Sequence, residues 1–462
     1  MTQHLQALQK IFGEAHVYHT PIDCFGYSYD ASPEPLDPAH TPAFVCKAHH
    51  TEEVAACLRY ANWHRIPVVA RGTGSGRSGG SIPLQGGIVL SLDEMNQILD
   101  LDEKNMMVTV EAGVQTKTLH DFCAAHQLFY PPDPSSYVYS TIGGNIAENA
   151  GGIKAVKYGV TSNYVMGLEV VLADGTVVQT GGKMMKNVTG YNLTQLFVGS
   201  EGTLGIITKA TLRLLHLPKT VQTATATFST VEDACTAVAE SLRQGIVPTA
   251  AELLDRLSCQ AAATFNDFSL GEDVGALVVF DVDGIDEDTC TKEMAQLKVV
   301  CEKAHAIDFT IAQTKAEADK LWDLRRKLSS AVAALAPNKV GEDISVPRAQ
   351  LPIIVKAISA IAEKHHFTLS IYGHAGDGNL HPAFLCDLKA PGVYERLQEA
   401  IAEVFQATVA VGGTLSGEHG IGISKQPFID IALSEEVIQT SLLIKKALDP
   451  HDILNPRKIF NR

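Results

Sequence analysis

The chain has 462 residues, 45% hydrophobic and 19% charged, with no low-complexity tract and no internal repeat. It is too long for one ordinary core and too apolar for wholesale disorder, so two or three folded domains are expected. A formal charge of -15 and the lack of any basic stripe exclude nucleic acid or an anionic membrane surface as the main partner. Nine scattered cysteines form no C-x-x-C pair, which fits reduced thiols in a cytoplasmic protein and argues against an iron–sulfur cluster or structural zinc in this chain. No stretch approaches 18 uninterrupted apolar residues, so no transmembrane segment is expected.

In chain order, residues 1–37 form an N-terminal extension whose Leu5, Leu8, Ile11 and Phe12 recur at helical spacing, as in a docking helix. Residues 38–217 alternate short β-branched runs with glycine turns: strands are predicted at Ala43–Cys46, Pro67–Ala70, Gly87–Leu92, Met107–Val110, Leu168–Leu172, Thr176–Gln179 and Gly205–Leu214, and helices at Thr51–Trp63 and Thr116–His126. The texture changes near Pro218. Residues 218–425 read as a second α+β domain, with helices at Val231–Gln244, Glu293–His305, Ala316–Leu335, Ala349–His365 and Val393–Val411. Strands at Gln222–Phe228, Ala276–Asp281, Phe367–Tyr372 and after His381 suggest an antiparallel sheet covered on one face by helices. Residues 426–462 read as one helix, Glu435–Leu448, and a pinned tail.

Three glycine clusters stand out in the first domain. Arg71-Gly72-Thr73-Gly74-Ser75-Gly76-Arg77-Ser78-Gly79-Gly80 contains both G-x-G-x-x-G and G-x-S-x-G, but each of those motifs needs a following helix, and Ser81–Gly87 leads into another strand. What survives is a concave nest of backbone N–H groups suited to a pyrophosphate. The second cluster, Pro131–Ser136 with Thr141–Gly152, offers a surface of small residues to a planar ligand. The third, Gly199–Thr208, places a glycine turn before a strand. Lacking nucleophiles and bases, the three point to a cofactor cradle built mainly from backbone.

In the second domain, Gly376, Asp377, Gly378 and Asn379 fold the chain back between His374 and His381, so both imidazoles can face one point; Glu418 adds a carboxylate, completing a two-His, one-carboxylate metal set. Arg325, in a helix that also carries Trp322, Arg326 and Lys327, is a candidate for bidentate carboxylate binding.

The nest, Thr141–Gly152, Lys157-Tyr158-Gly159-Val160-Thr161, Gly190-Tyr191 and Gly199–Thr208 closely resemble the PCMH-type FAD-binding domain of the vanillyl-alcohol-oxidase family. Gly373–Pro382, Glu418-His419-Gly420 and Asn455-Pro456-Arg457-Lys458 resemble the cap of the D-lactate dehydrogenase and glycolate oxidase group. The resemblance implies an α+β protein with a two-lobed FAD domain and a ferredoxin-like cap. Its FAD would be non-covalent, because the nest has neither histidine nor cysteine. FAD contacts are expected from Arg71, Gly72, Thr73, Gly74, Ser75, Gly76, Arg77, Ser78, Pro132, Asp133, Ser135, Thr141, Gly143, Gly144, Asn149, Gly151, Glu201, Gly202, Ile206, Ile207 and Asn455. By the same resemblance His374, His381 and Glu418 would hold zinc, manganese or iron(II), and His419 would be the base. The pattern Trp-x-x-Arg selects Arg325 for the substrate carboxylate, and Lys339 is a second substrate contact.

Relatives acting on D-2-hydroxyglutarate carry asparagine where this chain has Ala383, which favours a monocarboxylate, D-lactate ahead of glycolate. Electrons would leave to a separate acceptor: an electron-transferring flavoprotein, an iron–sulfur subunit or a quinone. The alternatives are an O2-using oxidase and an electron-transfer subunit with a vestigial metal site. A homodimer and peripheral membrane association through a partner are left open.

Overall fold

The computed structural model describes residues 2–264 and 271–460 and divides into two compact units: Met1–Gly151, Val160–Leu217 and Glu418–Arg462 in the first, Gly152–Gly159 and Pro218–Gly417 in the second.

In the first unit, the apolar runs become strands of a small sheet in the order β1 (Val17–Tyr18), β2 (Phe44–Lys47), β4 (Ile88–Ser91), β3 (Val68–Arg71). β2, β4 and β3 are parallel and almost wholly buried, as expected of strands covered on both faces. The crossover helix Thr51–His64 buries Val54, Cys57, Leu58 and Ala61, one helical stripe, and stops at Arg65 in the left-handed region, φ 53°. Leu8 and Phe12 of helix Thr2–Phe12 join the same core, as do Ile453 and Leu454 of the C-terminal tail. That tail is tied to β3 by Val68 N–H on Ile453 O at 2.7 Å and Asn455 N–H on Val68 O at 2.8 Å. The strand that leads into the glycine nest is thereby held from outside its own sheet.

A second, antiparallel sheet follows in the order β5 (Ile98–Asp102), β6 (Met107–Glu111), β10 (Ile206–Arg213), β8 (Val165–Val171), β9 (Val177–Gly181). A short ribbon pairs β7 (Leu128–Phe129) with β11 (Leu215–His216). One helix, Ile142–Glu148, lies inside the stretch read from sequence as a surface of small residues.

The second unit is built on one antiparallel sheet, β15 (Asp308–Ile311), β12 (Thr220–Phe228), β14 (Ala276–Gly284), β13 (Ala250–Asp255), β18 (Thr368–His374), β19 (Asn379–Cys386), β16 (Asn338–Gly341), with β17 (Ile344–Ser345) also on β19. Helices cover both faces, not one. Leu277 and Val279 of β14 pack with Trp322, Leu324 and Leu328 of helix Lys315–Ala333. Their alternate neighbours Val278, Phe280 and Val282 point the other way and are equally buried. The unbroken apolar run of β14 is the sequence mark of that double burial. Segment Gly152–Gly159 belongs to this unit, with Lys157 Nζ 2.6 Å from Asp283 Oδ1 and the Tyr158 hydroxyl 2.9 Å from Oδ2. Among the described residues no helix is long and apolar enough to cross a membrane.

Candidate active site

In the first unit, β3 ends at Arg71 and the chain opens into the nest. Gly74 and Gly79 hold φ of 75° and 76°, open only to glycine at low cost. Gly72 touches helix Ile142–Glu148, since a Cβ there would lie 2.3 Å from Thr141 Oγ1. Gly143 packs on Ala112, whose carbonyl accepts its N–H at 2.7 Å. The buried Arg71 guanidinium braces the loop from beneath, donating to Tyr29 O at 2.7 Å and Ser81 Oγ at 3.3 Å. Among the described residues nothing accepts a hydrogen bond from the N–H groups of Thr73 to Arg77, which suits an anion. A cleft opens here. A cleft with a phosphate-type nest along its wall suits the pyrophosphate of FAD.

Sixteen of the expected FAD contacts line this cleft: Arg71 to Arg77, Ser135, Thr141, Gly143, Gly144, Glu201, Gly202, Ile206, Ile207 and Asn455; Glu418 and His419 line it too. The other five do not line it. Ser78 O accepts the N–H groups of Ile423 and Ser424, and Pro132 O meets His120 Nε2 at 2.9 Å. Asn149 ends the helix in the left-handed region, with its Oδ1 on Ser162 N–H at 2.8 Å. Asp133 is not among the lining residues, and Gly151 abuts Glu418, whose Oε2 would be 2.9 Å from a Cβ. Two lining side chains are committed to the fold: Asn455 Nδ2 donates to Gly80 O and Glu201 O, and the Glu201 carboxylate accepts the N–H groups of Ile421 and Gly422.

In the second unit the sheet register brings a polar cluster onto the face covered by helix Lys315–Ala333. Glu252 stands opposite His374, and Tyr372 opposite His381. The two histidine rings meet edge to face at 5.2 Å. His374 Nδ1 lies 2.6 Å from Glu252 Oε1, which makes it the N–H and leaves the basic lone pair on Nε2. Arg325 Nε donates to Glu252 Oε2 at 2.6 Å. Burial pushes the Glu252 carboxyl up, but His374 and Arg325 outweigh it and hold the group below the usual range. His381 Nδ1 faces Asp343 Oδ1 at 3.7 Å. Asp343, fully buried, accepts from Asn379 Nδ2 at 2.6 Å, Ser416 Oγ at 2.7 Å and Gly417 N at 3.0 Å, holding the residues that immediately precede Glu418. Two imidazoles, each facing a buried carboxylate, match the donor chemistry of a divalent-metal site.

Lys339 turns to Ser329, with Nζ 3.0 Å from its carbonyl, and to the Tyr372 hydroxyl at 3.3 Å. Arg325 and Lys339 both lie over the Tyr372 ring. Burial raises the phenol, yet Lys339, Ser329 and Arg325 together bring it below its ordinary value. Arg326 pairs with Asp323 on the exposed side of the helix. Sequence reasoning missed Glu252, Asp343 and Tyr372. Tyr372 alone left a signal, at the end of a predicted strand two residues before His374.

A family model described as the C-terminal domain of FAD linked oxidases matches residues 217–459, and one described as an FAD binding domain matches residues 42–181. The chain is 42% identical over 434 residues to the glycolate oxidase subunit GlcD of Bacillus subtilis, covering 94% of this chain and 92% of that one. It is 36% identical over 444 residues to a D-lactate dehydrogenase of Archaeoglobus fulgidus, covering 94% and 96%. In three dimensions it is similar to 4-ethylphenol oxidase from Gulosibacter chungangensis, with a TM-score of 0.76 at 22% identity over 99% of this chain and 97% of that one.

Proposed function

Because this chain belongs to the FAD linked oxidases, among the PCMH-type flavoproteins related to glycolate oxidase subunit GlcD and D-lactate dehydrogenase, and is an FAD-dependent 2-hydroxyacid oxidoreductase, we propose that it oxidises a small D-2-hydroxy monocarboxylate, D-lactate to pyruvate ahead of glycolate to glyoxylate. The observation that carries this reading is the buried row Arg325, Glu252, His374, which joins a carboxylate-binding cation to a metal-type imidazole through one carboxylate.

Bound FAD supplies a two-electron acceptor and a bound divalent ion supplies Lewis acidity. His374 and His381 are the imidazole ligands, with Glu418 as the carboxylate ligand. Glu252 sets the ring of His374, and Asp343 faces that of His381. Arg325 presents its remaining guanidinium N–H groups to the substrate carboxylate, its Nε being held by Glu252. His419 accepts the hydroxyl proton, a task suited to a neutral imidazole of ordinary pKa about 6.5. As that proton leaves, the substrate carbon becomes a better hydride donor. Ala383, buried opposite Ser370 and Gly341, adds no polar group for a second carboxylate. The electrons then pass to a separate acceptor, a flavoprotein, an iron–sulfur subunit or a quinone. The Bacillus subtilis relative is a glycolate oxidase subunit, which supports such a partner.

Anaerobic reduction of the flavin tests the reading, with D-lactate, L-lactate, glycolate and D-2-hydroxyglutarate in turn, before and after EDTA. Rapid bleaching by D-lactate, abolished by EDTA and restored by metal, is expected. Faster bleaching by glycolate would exchange the two substrates, and comparable turnover of D-2-hydroxyglutarate would refute the monocarboxylate assignment. A yellow protein that none of them bleaches, even with added metal, would sink the proposal.

A further inference from the structure

The cleft of the first unit holds two acidic side chains that the proposed reaction does not use. Glu148 ends helix Ile142–Glu148, and Glu201 sits in a left-handed turn, φ 50°, ahead of β10. Their carboxyls converge on Gly420: a Cβ there would lie 2.0 Å from Glu148 Oε2 and 3.1 Å from Glu201 Oε1. The two groups are therefore within about 5 Å of each other, a spacing at which two buried carboxyls do not both ionise cheaply. Their surroundings differ. Glu201 receives the N–H groups of Ile421 at 2.8 Å and Gly422 at 2.7 Å, which suits a charged acceptor. Glu148 Oε2 is buried without a hydrogen-bond partner, a costly state for an anion and a tolerable one for a neutral acid. Burial, Glu201 and Asp30 push the Glu148 carboxyl well up, against the opposing pull of Lys425 and Lys458.

We propose that Glu148 and Glu201 carry one proton between them, resting on Glu148, and that this acid–carboxylate pair fixes the loop 419–422 and thereby positions His419. The loop has little other freedom. Gly420 has no room for a side chain beside Glu148, and Gly422, φ 50°, approaches Ser78 O so closely that a Cβ would lie 2.1 Å from it. Loss of the proton would set a second negative charge against Glu201 and loosen the N–H contacts that Glu201 makes. The role given to His419 rests on the function proposed above; the existence of the pair does not.

Hydrogen exchange of residues 419–424 in the flavin-loaded protein tests this between pH 7 and 9.5, with flavin content and melting temperature confirming that each variant folds. At pH 7, Glu148→Gln keeps the neutral shape and is expected to protect the loop as the wild type does, whereas Glu201→Gln loses about tenfold in protection, the equivalent of one hydrogen bond of ordinary strength. Wild-type protection, corrected for intrinsic exchange, is expected to fall as pH rises, and that of Glu148→Gln to stay level. Parallel loss in the two proteins would assign the titration to Lys458, which burial pushes down to about 8, and would overturn the proposal. So would full protection in Glu201→Gln. Should exchange behave as expected while no 2-hydroxy acid bleaches the flavin, the pair stands and the proposed reaction fails.

Discussion

The carboxylate of Glu252 and the imidazole of His374 meet at 2.6 Å with both groups buried, on adjacent strands and in direct register. The second carboxylate oxygen lies on Arg325. One residue thus sets the tautomer of the histidine and the direction of the arginine. Glu252→Gln is expected to keep the fold and lower metal affinity and turnover by about 10–100-fold, as loss of a carboxylate behind a metal-binding histidine typically does. Glu252→Ala leaves a buried arginine unpaired and is expected to cost about 3–5 kcal/mol as well. Metal content and a denaturation curve separate the two effects; a Glu252→Gln protein with wild-type metal affinity would refute the role.

Arg325→Lys retains the charge but not the planar fork that pairs with two partners at once. A loss of about 1.5–3 kcal/mol in transition-state binding, or about 10–100-fold in kcat/KM, is expected. Because Arg325 would grip the substrate before and during the reaction, most of the loss should appear in KM. Steady-state kinetics with the better of D-lactate and glycolate would show this, and an unchanged KM would remove Arg325 from the substrate.

The glycine signatures were legible because backbone chemistry leaves a compositional trace: only glycine tolerates the φ of Gly74 or the contact of Gly72 with Thr141. Glu252 left none. Its strand, Ala-Ala-Glu-Leu-Leu-Asp, is made of good helix formers and becomes a strand only because β14 and β18 flank it. Helix Ile142–Glu148 was hidden the opposite way, since two adjacent glycines argue for a loop until Thr141 caps it by accepting Gly144 N–H. Asp343 lies beyond sequence reasoning for a third reason: its partners Asn379, Ser416 and Gly417 are 36 to 74 positions away.

Gly143→Ala should separate the cofactor cradle from the chemistry. A methyl group there would stand 2.7 Å from Ala112 Cβ and 3.0 Å from Ala112 O, so helix Ile142–Glu148 must move off β6 and its following turn. Overpacking of this kind costs about 1–3 kcal/mol. The variant is expected to purify with less flavin per protein, measured as the ratio of absorbance near 450 nm to that near 280 nm, while His374 and His381 still hold metal. Full flavin occupancy would show that the helix does not line the FAD site.

Wild-type flavin should be released entirely into the supernatant by acid precipitation, because no histidine or cysteine occurs between Arg71 and Gly80. Colour retained in the pellet would mean a covalent link elsewhere.

Asp281 gives the second unit a pH dependence of defined sign. Its carboxyl accepts Thr223 Oγ1 at 2.6 Å and Trp322 Nε1 at 3.0 Å, yet burial dominates and raises it to about 6, with Asp283 adding to the rise and Lys154 opposing it. A folded-state value above the unfolded one means that the folded protein binds the proton more readily, so this group's contribution worsens as pH rises from the unfolded value, about 4, through 6. A rise of that size corresponds to roughly 3 kcal/mol at most. Asp281→Asn keeps an acceptor for Trp322 and cannot ionise. It is expected to be more stable than the wild type at pH 7.5, with the advantage shrinking steadily toward pH 4.5. Chemical denaturation of both proteins across that range provides the measurement. A difference that stays constant with pH would show that Asp281 does not titrate there, and one that grows on acidification would show that the ionised form is favoured by its partners.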